Sequence, residues 1–130
     1  MKVIAVDYGS ARTGVAVSDA TGTIARPLGV VERAGGEAGL NRLVELIRAE
    51  EAERVVVGLP LTLRGERGAQ AQETETFVEA LRAAVDVPVE SFDERFTTRL
   101  AQTGDPGPDD ARAAAHLLSS YLEWSSAGRE

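Results

Sequence analysis

Two short apolar runs, Val3 to Val6 and Val15 to Val17, bracket a turn that opens with Asp7 and contains Gly9 and Gly14. A run that is apolar at every position belongs to a strand with both faces covered, because a half-solvated strand alternates instead. The pair therefore predicts a hairpin at the centre of a layered sheet, with Asp7 at its open rim. Gly9 and Gly14 supply the positive φ or the close backbone approach that such a turn needs. A carboxylate that ends a buried strand loses hydration, and a cation, a metal or hydrogen-bond donors must compensate it. The plain alternative is a strand-ending Asp that accepts turn hydrogen bonds.

Further along, Thr23 to Val31 reads as a third strand, confined to an edge because Pro27 has no N–H for a ladder. After Gly35-Gly36, Leu40, Leu43, Val44 and Ile47 recur at helical spacing and predict a first helix. Val55 to Val57, closed by Gly58 and Pro60, is a second buried strand, expected to run parallel to the first. Leu61 to Gly68, with Arg64 and Arg67, reads as an exposed loop. From Ala69 a second helix carries Thr74, Phe77, Val78, Leu81 and Val85 on one side. Val87 to Phe92 is the fifth strand, and it runs directly into Asp93-Glu94-Arg95.

Pro108, Asp109 and Asp110 suit the first turn of a third helix, where proline is tolerated and carboxylates meet the positive end of the helix dipole. Spacing separates the two acids. Asp110 precedes Ala114, Leu117 and Tyr121 by four, seven and eleven residues, which puts it on the face that packs against the sheet. Asp109 aligns with Arg112, His116 and Ser120 on the outer face. His116, Tyr121 and Trp124 read as structural.

The element order predicts an α/β three-layer fold spanning residues 1–130 as one domain, with three antiparallel strands, then two parallel ones, flanked by helices. Acids at two strand ends and one helix start can then meet at one rim. Asp7, Glu94 and Asp110 form an all-oxygen set, suited to Mg²⁺ or Mn²⁺ and not to zinc. Such a set can hold two metals roughly 3.5–4 Å apart for phosphodiester cleavage. Asp93 is the alternative to Glu94, and spacing does not choose between them.

Composition removes other chemistries. The 130 residues contain no cysteine and one histidine, so thiol catalysis, disulfides and a multi-histidine metal site are excluded. The first residues lack a signal-peptide apolar core and no run approaches membrane-spanning length, so a cytoplasmic protein with no membrane partner is expected. The net charge of −7 disfavours diffuse binding to polyanions.

Four motifs in order resemble one family: Asp7-Tyr-Gly9-x-x-Arg12-x-Gly14-Val-Ala; Val57-Gly-Leu-Pro-Leu61; Asp93-Glu94-Arg95-Phe-Thr97-Thr98; and Asp110-x-x-Ala113-Ala114 through Leu117, Leu118 and Tyr121. This pattern is similar to that of the YqgF/RuvX family. The resemblance implies a ribonuclease H-like fold and a Mg²⁺- or Mn²⁺-dependent nuclease. The family is related to Holliday junction resolvases and assigned to processing the 5′ end of pre-16S rRNA. It carries the catalytic and metal-binding roles to Asp7, Glu94 and Asp110, and places Arg12, Arg95, Thr97 and Thr98 on the substrate side. Structured RNA or branched DNA is the implied partner, with a homodimer on branched DNA and ribosome-assembly partners left open. Two features depart from the pattern. Only Arg99 to Gly107 stands where a long basic segment is expected, and Gly58-Leu-Pro follows the fourth strand where resolvase relatives have an acid.

Two other readings compete. A noncatalytic nucleic-acid-binding or scaffolding module of the same fold fits the acidic balance. An ATP-handling relative would need a second, similar domain across a cleft, which 130 residues do not supply.

Overall fold

The structure, a computed structural model, describes residues 1–60, 68–93 and 110–128. The described elements are β1 (Val3–Asp7), β2 (Arg12–Ser18), β3 (Ala25–Glu32), α1 (Glu37–Ala49), β4 (Arg54–Leu59), α2 (Ala69–Ala84), β5 (Val89–Asp93) and α3 (Asp110–Gly128). The strands form one sheet in the order β3-β2-β1-β4-β5. β1 pairs antiparallel with β2 and β2 with β3, whereas β1–β4 and β4–β5 are parallel. The expected three antiparallel and two parallel strands are all present.

The uniformly apolar strands have the predicted cause. Ile4, Val6, Val15, Val17, Val55 and Val57 belong to the core under α1 and α2. Val3, Ala5, Ala16, Val56 and Phe92 belong to a second core with Ala114, Leu117, Leu118 and Tyr121 of α3. Each strand thus alternates between two buried faces. Ala5 pairs directly with Ala16, so the α3 face is shallow at its centre and the helix can lie close to the sheet.

α1 and α2 bury most of the expected stripes: Leu43, Val44 and Ile47 on the first, with Leu40 half-buried, and Thr74, Phe77, Val78 and Leu81 on the second, whereas Val85 lies just past the end of α2 in extended conformation. Pro27 lies on β3, an edge strand as predicted, beside a register shift at Val15/Ala16. β3 begins at Ala25 and not at Thr23, because Asp19 captures the preceding residues. Its Oδ1 accepts from the N–H groups of Thr23 and Ile24 at 2.7 and 3.0 Å, and its Oδ2 from the Thr21 hydroxyl at 2.6 Å. β5 likewise starts at Val89 rather than Val87.

On α3, Ala111, Ala114, Leu117, Leu118 and Tyr121 are buried, as the spacing predicts. Ser120, expected on the outer face, is buried too. Among the described residues α3 is the single helix covering its face of the sheet, so its buried stripe is wider than one row of residues. The Tyr121 hydroxyl donates to Glu90 Oε1 at 3.0 Å and accepts from Arg54 Nη1 at 2.9 Å. Its ring meets Phe92 edge-on at 5.5 Å. Trp124 remains 41% exposed while its ring centroid lies 5.5 Å from that of Phe92.

Candidate active site

Alternation along β1 puts Asp7 on the same face as Val3 and Ala5, the face that α3 covers. Its partner across the hairpin is Gly14. On that glycine stands the first turn of α3: a Cβ added there would lie 1.8 Å from the Asp110 carbonyl oxygen and 3.0 Å from the Ala111 nitrogen. Gly14 is required because a helix backbone occupies the space of its missing side chain. Its φ is not positive, and the same holds for Gly9. A Cβ on Gly9 would come within 2.4 Å of the Arg12 carbonyl oxygen, so both glycines serve close approach.

The packing of α3 on Gly14 brings Asp110 next to Asp7. Burial pushes the Asp7 carboxyl up to about 6, and the negative charge of Asp110 adds to the rise. Among the described residues no donor reaches the Asp7 carboxylate. Asp110 has a cation, since Arg12 Nε lies 3.1 Å from its Oδ2. The Arg12 side chain is 53% exposed, and its terminal amino groups meet no acceptor among the described residues. Arg12 therefore sits at the expected rim with one nitrogen tied to Asp110, a pairing the sequence did not reveal.

The turn between Asp7 and Arg12 is fastened internally. The Thr13 hydroxyl, fully buried, lies 3.3 Å from both the N–H and the carbonyl of Gly9, so it accepts from one and donates to the other. Thr13→Val keeps the shape and removes both bonds. A loss of about 1–2 kcal/mol in chemical denaturation is expected, with Thr13→Ser retaining most of the stability. Tyr8 fixes the turn from the other face. Its ring stacks on Phe77 of α2 with centroids 4.4 Å apart, and burial, then the charge of Glu73, raise its hydroxyl above the ordinary tyrosine value.

Of the remaining expected site residues, Glu94, Arg95, Thr97 and Thr98 lie outside the described residues, as do Asp109, Arg64 and Arg67. Asp93 ends β5 opposite Leu59. It shares its strand face with Val89, which belongs to the α1/α2 core, whereas Phe92 belongs to the α3 core. Asp93 is thus on the face opposite Asp7.

Residues 1–124 match the family described as RuvX: Holliday junction resolvase. The chain belongs to this family. Among its relatives, a Desulforudis audaxviator protein named "Putative pre-16S rRNA nuclease" is 40% identical over 99% of both chains. A Chloroflexus aurantiacus protein of the same name is 45% identical over 77% of this chain, which spans only 65% of that relative's length. Among solved structures, Thermus thermophilus RuvC in complex with a Holliday junction substrate superposes with a TM-score of 0.66 at 18% identity, covering 99% of this chain and 97% of that one. The fowlpox virus Holliday junction resolvase gives a TM-score of 0.56 at 13% identity, with 95% and 99% covered. At these identities the structural likeness establishes the fold, which for this RuvX-family chain is ribonuclease H-like.

Proposed function

We propose that this RuvX-family chain is a Mg²⁺- or Mn²⁺-dependent nuclease acting on structured RNA or branched DNA. It would process the 5′ end of pre-16S rRNA, resolve four-way junctions, or do both. The observation that carries the reading is the Asp7–Asp110 pair. Two carboxylates on separate elements are packed together at a sheet rim by a backbone contact at Gly14, and burial, then the charge of Asp110, raise the pKa of Asp7 to about 6. Such an arrangement is unfavourable for the isolated fold and favourable for a bound divalent cation.

The donor set fits a hard metal. Asp7 and Asp110 supply carboxylate oxygens, and Glu94 is the third acid of the proposed set. Asp93, on the opposite face, does not serve in its place. When bound, the metal supplies an activated water and charge stabilisation at the leaving oxygen. The chain's own residues place the acids and the phosphate. Arg12 orients Asp110 through Nε and keeps its terminal amino groups for a phosphate oxygen, a bidentate geometry natural to arginine. Arg95, Thr97 and Thr98 are assigned to the same substrate side.

Residues 1–130 are read as one nuclease domain, since the five described strands close into one sheet. Junction resolution requires two opposed copies on the branched DNA. A cytoplasmic location fits this substrate, and no described helix is long and apolar enough to cross a membrane.

The test is a cleavage assay with Mn²⁺ on pre-16S rRNA and on a four-way junction, side by side. Cleavage of either, lost in Asp7→Asn and in EDTA, is the expected result. Tight binding without cleavage on both substrates would favour the noncatalytic module. With few cations at the rim, binding to unbranched duplex should be weak, with a log–log salt slope of about −2 to −4.

A further inference from the structure

Asp7 occupies a position that its own side chain does not secure. Burial and the charge of Asp110 both oppose its ionised form, and among the described residues no donor reaches the carboxylate. An ionised Asp7 is repelled by Asp110, so the end of β1 would relax by moving the acid away unless the backbone is held from elsewhere.

Tyr8 supplies that hold. It follows Asp7 directly and packs against the core under α1 and α2, the face opposite α3. Its ring lies on that of Phe77 with centroids 4.4 Å apart and planes inclined by 21°. Phe77 is buried, so the stack is anchored in the core. The Tyr8 hydroxyl reaches over Gly35, where an added Cβ would lie 2.7 Å from it. The same connection between β3 and α1 holds the turn a second time, because the Arg33 N–H donates to the Ala11 carbonyl at 3.0 Å. The turn is thus clamped to α2 and to the β3–α1 connection, while the acid it carries faces α3. A stacked aromatic pair gives an oriented contact that an aliphatic side chain of similar burial does not.

We propose that Tyr8 is a positioning residue for the metal site: its stack on Phe77 holds Asp7 beside Asp110 against their mutual repulsion. The inference rests on the nuclease reading and adds that the divalent-metal affinity of the acid pair is set from α2, an element that carries none of the proposed ligands. Tyr8 itself touches neither metal nor substrate. Groups that fix the orientation of a ligand govern metal affinity even though they make no bond to the metal.

The test measures Mn²⁺ binding to metal-free protein by calorimetric titration, without nucleic acid, beside melting curves. Tyr8→Leu keeps apolar burial and removes the stack; it should bind Mn²⁺ about tenfold more weakly, the lower end for loss of a group that supports a ligand. Phe77→Leu should do the same. The double variant should be no weaker than either single one, because one stack is lost in all three. Tyr8→Phe keeps the ring and should bind as wild type does. Ile47→Val, which thins the same core from α1, should lower the melting temperature and leave Mn²⁺ affinity unchanged; a merely structural role would make the Tyr8 variants behave like this one. In cleavage, the Tyr8→Leu defect should appear as a lower kcat at limiting Mn²⁺ that recovers at saturating Mn²⁺, with KM for the nucleic acid unchanged. A folded Tyr8→Leu or Phe77→Leu protein with wild-type Mn²⁺ affinity, or an equal loss in Ile47→Val, would overturn the proposal. If wild-type protein binds Mn²⁺ no better than Asp7→Asn does, the metal reading fails first and this inference with it.

Discussion

Gly14→Ala is expected to destabilise the protein by about 3 kcal/mol, near the upper end for overpacking, and to abolish cleavage. The new methyl would sit 1.8 Å from the Asp110 carbonyl oxygen and 2.3 Å from its carbon. These are backbone atoms, and no rotamer change relieves the clash. Either β2 shifts, disturbing its pairing with β1, or the first turn of α3 lifts away. The second route separates Asp110 from both Asp7 and Arg12, so it removes the site while much of the fold survives. Gly29→Ala is the control, because nothing lies within 4 Å of its added Cβ; a change within about 0.5 kcal/mol is expected. Denaturant unfolding of the two variants with a cleavage assay on each decides the matter. A Gly14→Ala protein that melts and cleaves like wild type would refute the claim that this contact seats Asp110.

The contrast shows what sequence spacing can and cannot carry. Val3 to Val6 and Val55 to Val57 announced buried parallel strands because an all-apolar run has one physical explanation in a layered sheet. Pro27 announced an edge by its missing donor. Asp110 was placed on the inner face of α3 by its phase with Ala114, Leu117 and Tyr121, all of which are buried. The same phase argument misplaced Ser120. Helical periodicity gives the direction of a stripe and not its width, and the width depends on how many helices share the sheet face.

The approach of Asp110 to Asp7 was legible in spacing, and the contacts around the pair were not. That Gly14 stands under a helix start, that Arg12 pairs with Asp110, and that Thr13 locks Gly9 are facts of tertiary packing with no periodic signature. That Asp93 faces away from Asp7 needed the registers of β4 and β5, because one residue along a strand reverses the face.

Asp7→Asn should strengthen the metal-free fold at neutral pH and eliminate cleavage. In the folded protein the Asp7 carboxyl is raised from its ordinary 3.8 to about 6, first by burial and second by Asp110. Well below pH 3.8 the group is protonated whether the chain is folded or not, and it imposes no cost. As pH climbs from about 4 to 6 the unfolded chain ionises this group while the native state still holds its proton. Native stability therefore falls across that window and stays lowered above it. A rise from 3.8 to about 6 corresponds to about 3 kcal/mol at pH 7. Asn abolishes the cost, so in EDTA the variant should exceed wild type by up to about 3 kcal/mol at pH 7 to 8, with the difference vanishing below about pH 3. Mg²⁺ or Mn²⁺ should then reverse the order. A cation that binds only the native state stabilises it by mass action, and wild type keeps the ligand that the variant lacks. Melting curves of both proteins across pH, with EDTA and with metal, read each step. A variant no more stable than wild type at pH 8 in EDTA would show that Asp7 is not held in a desolvated, acid-paired position.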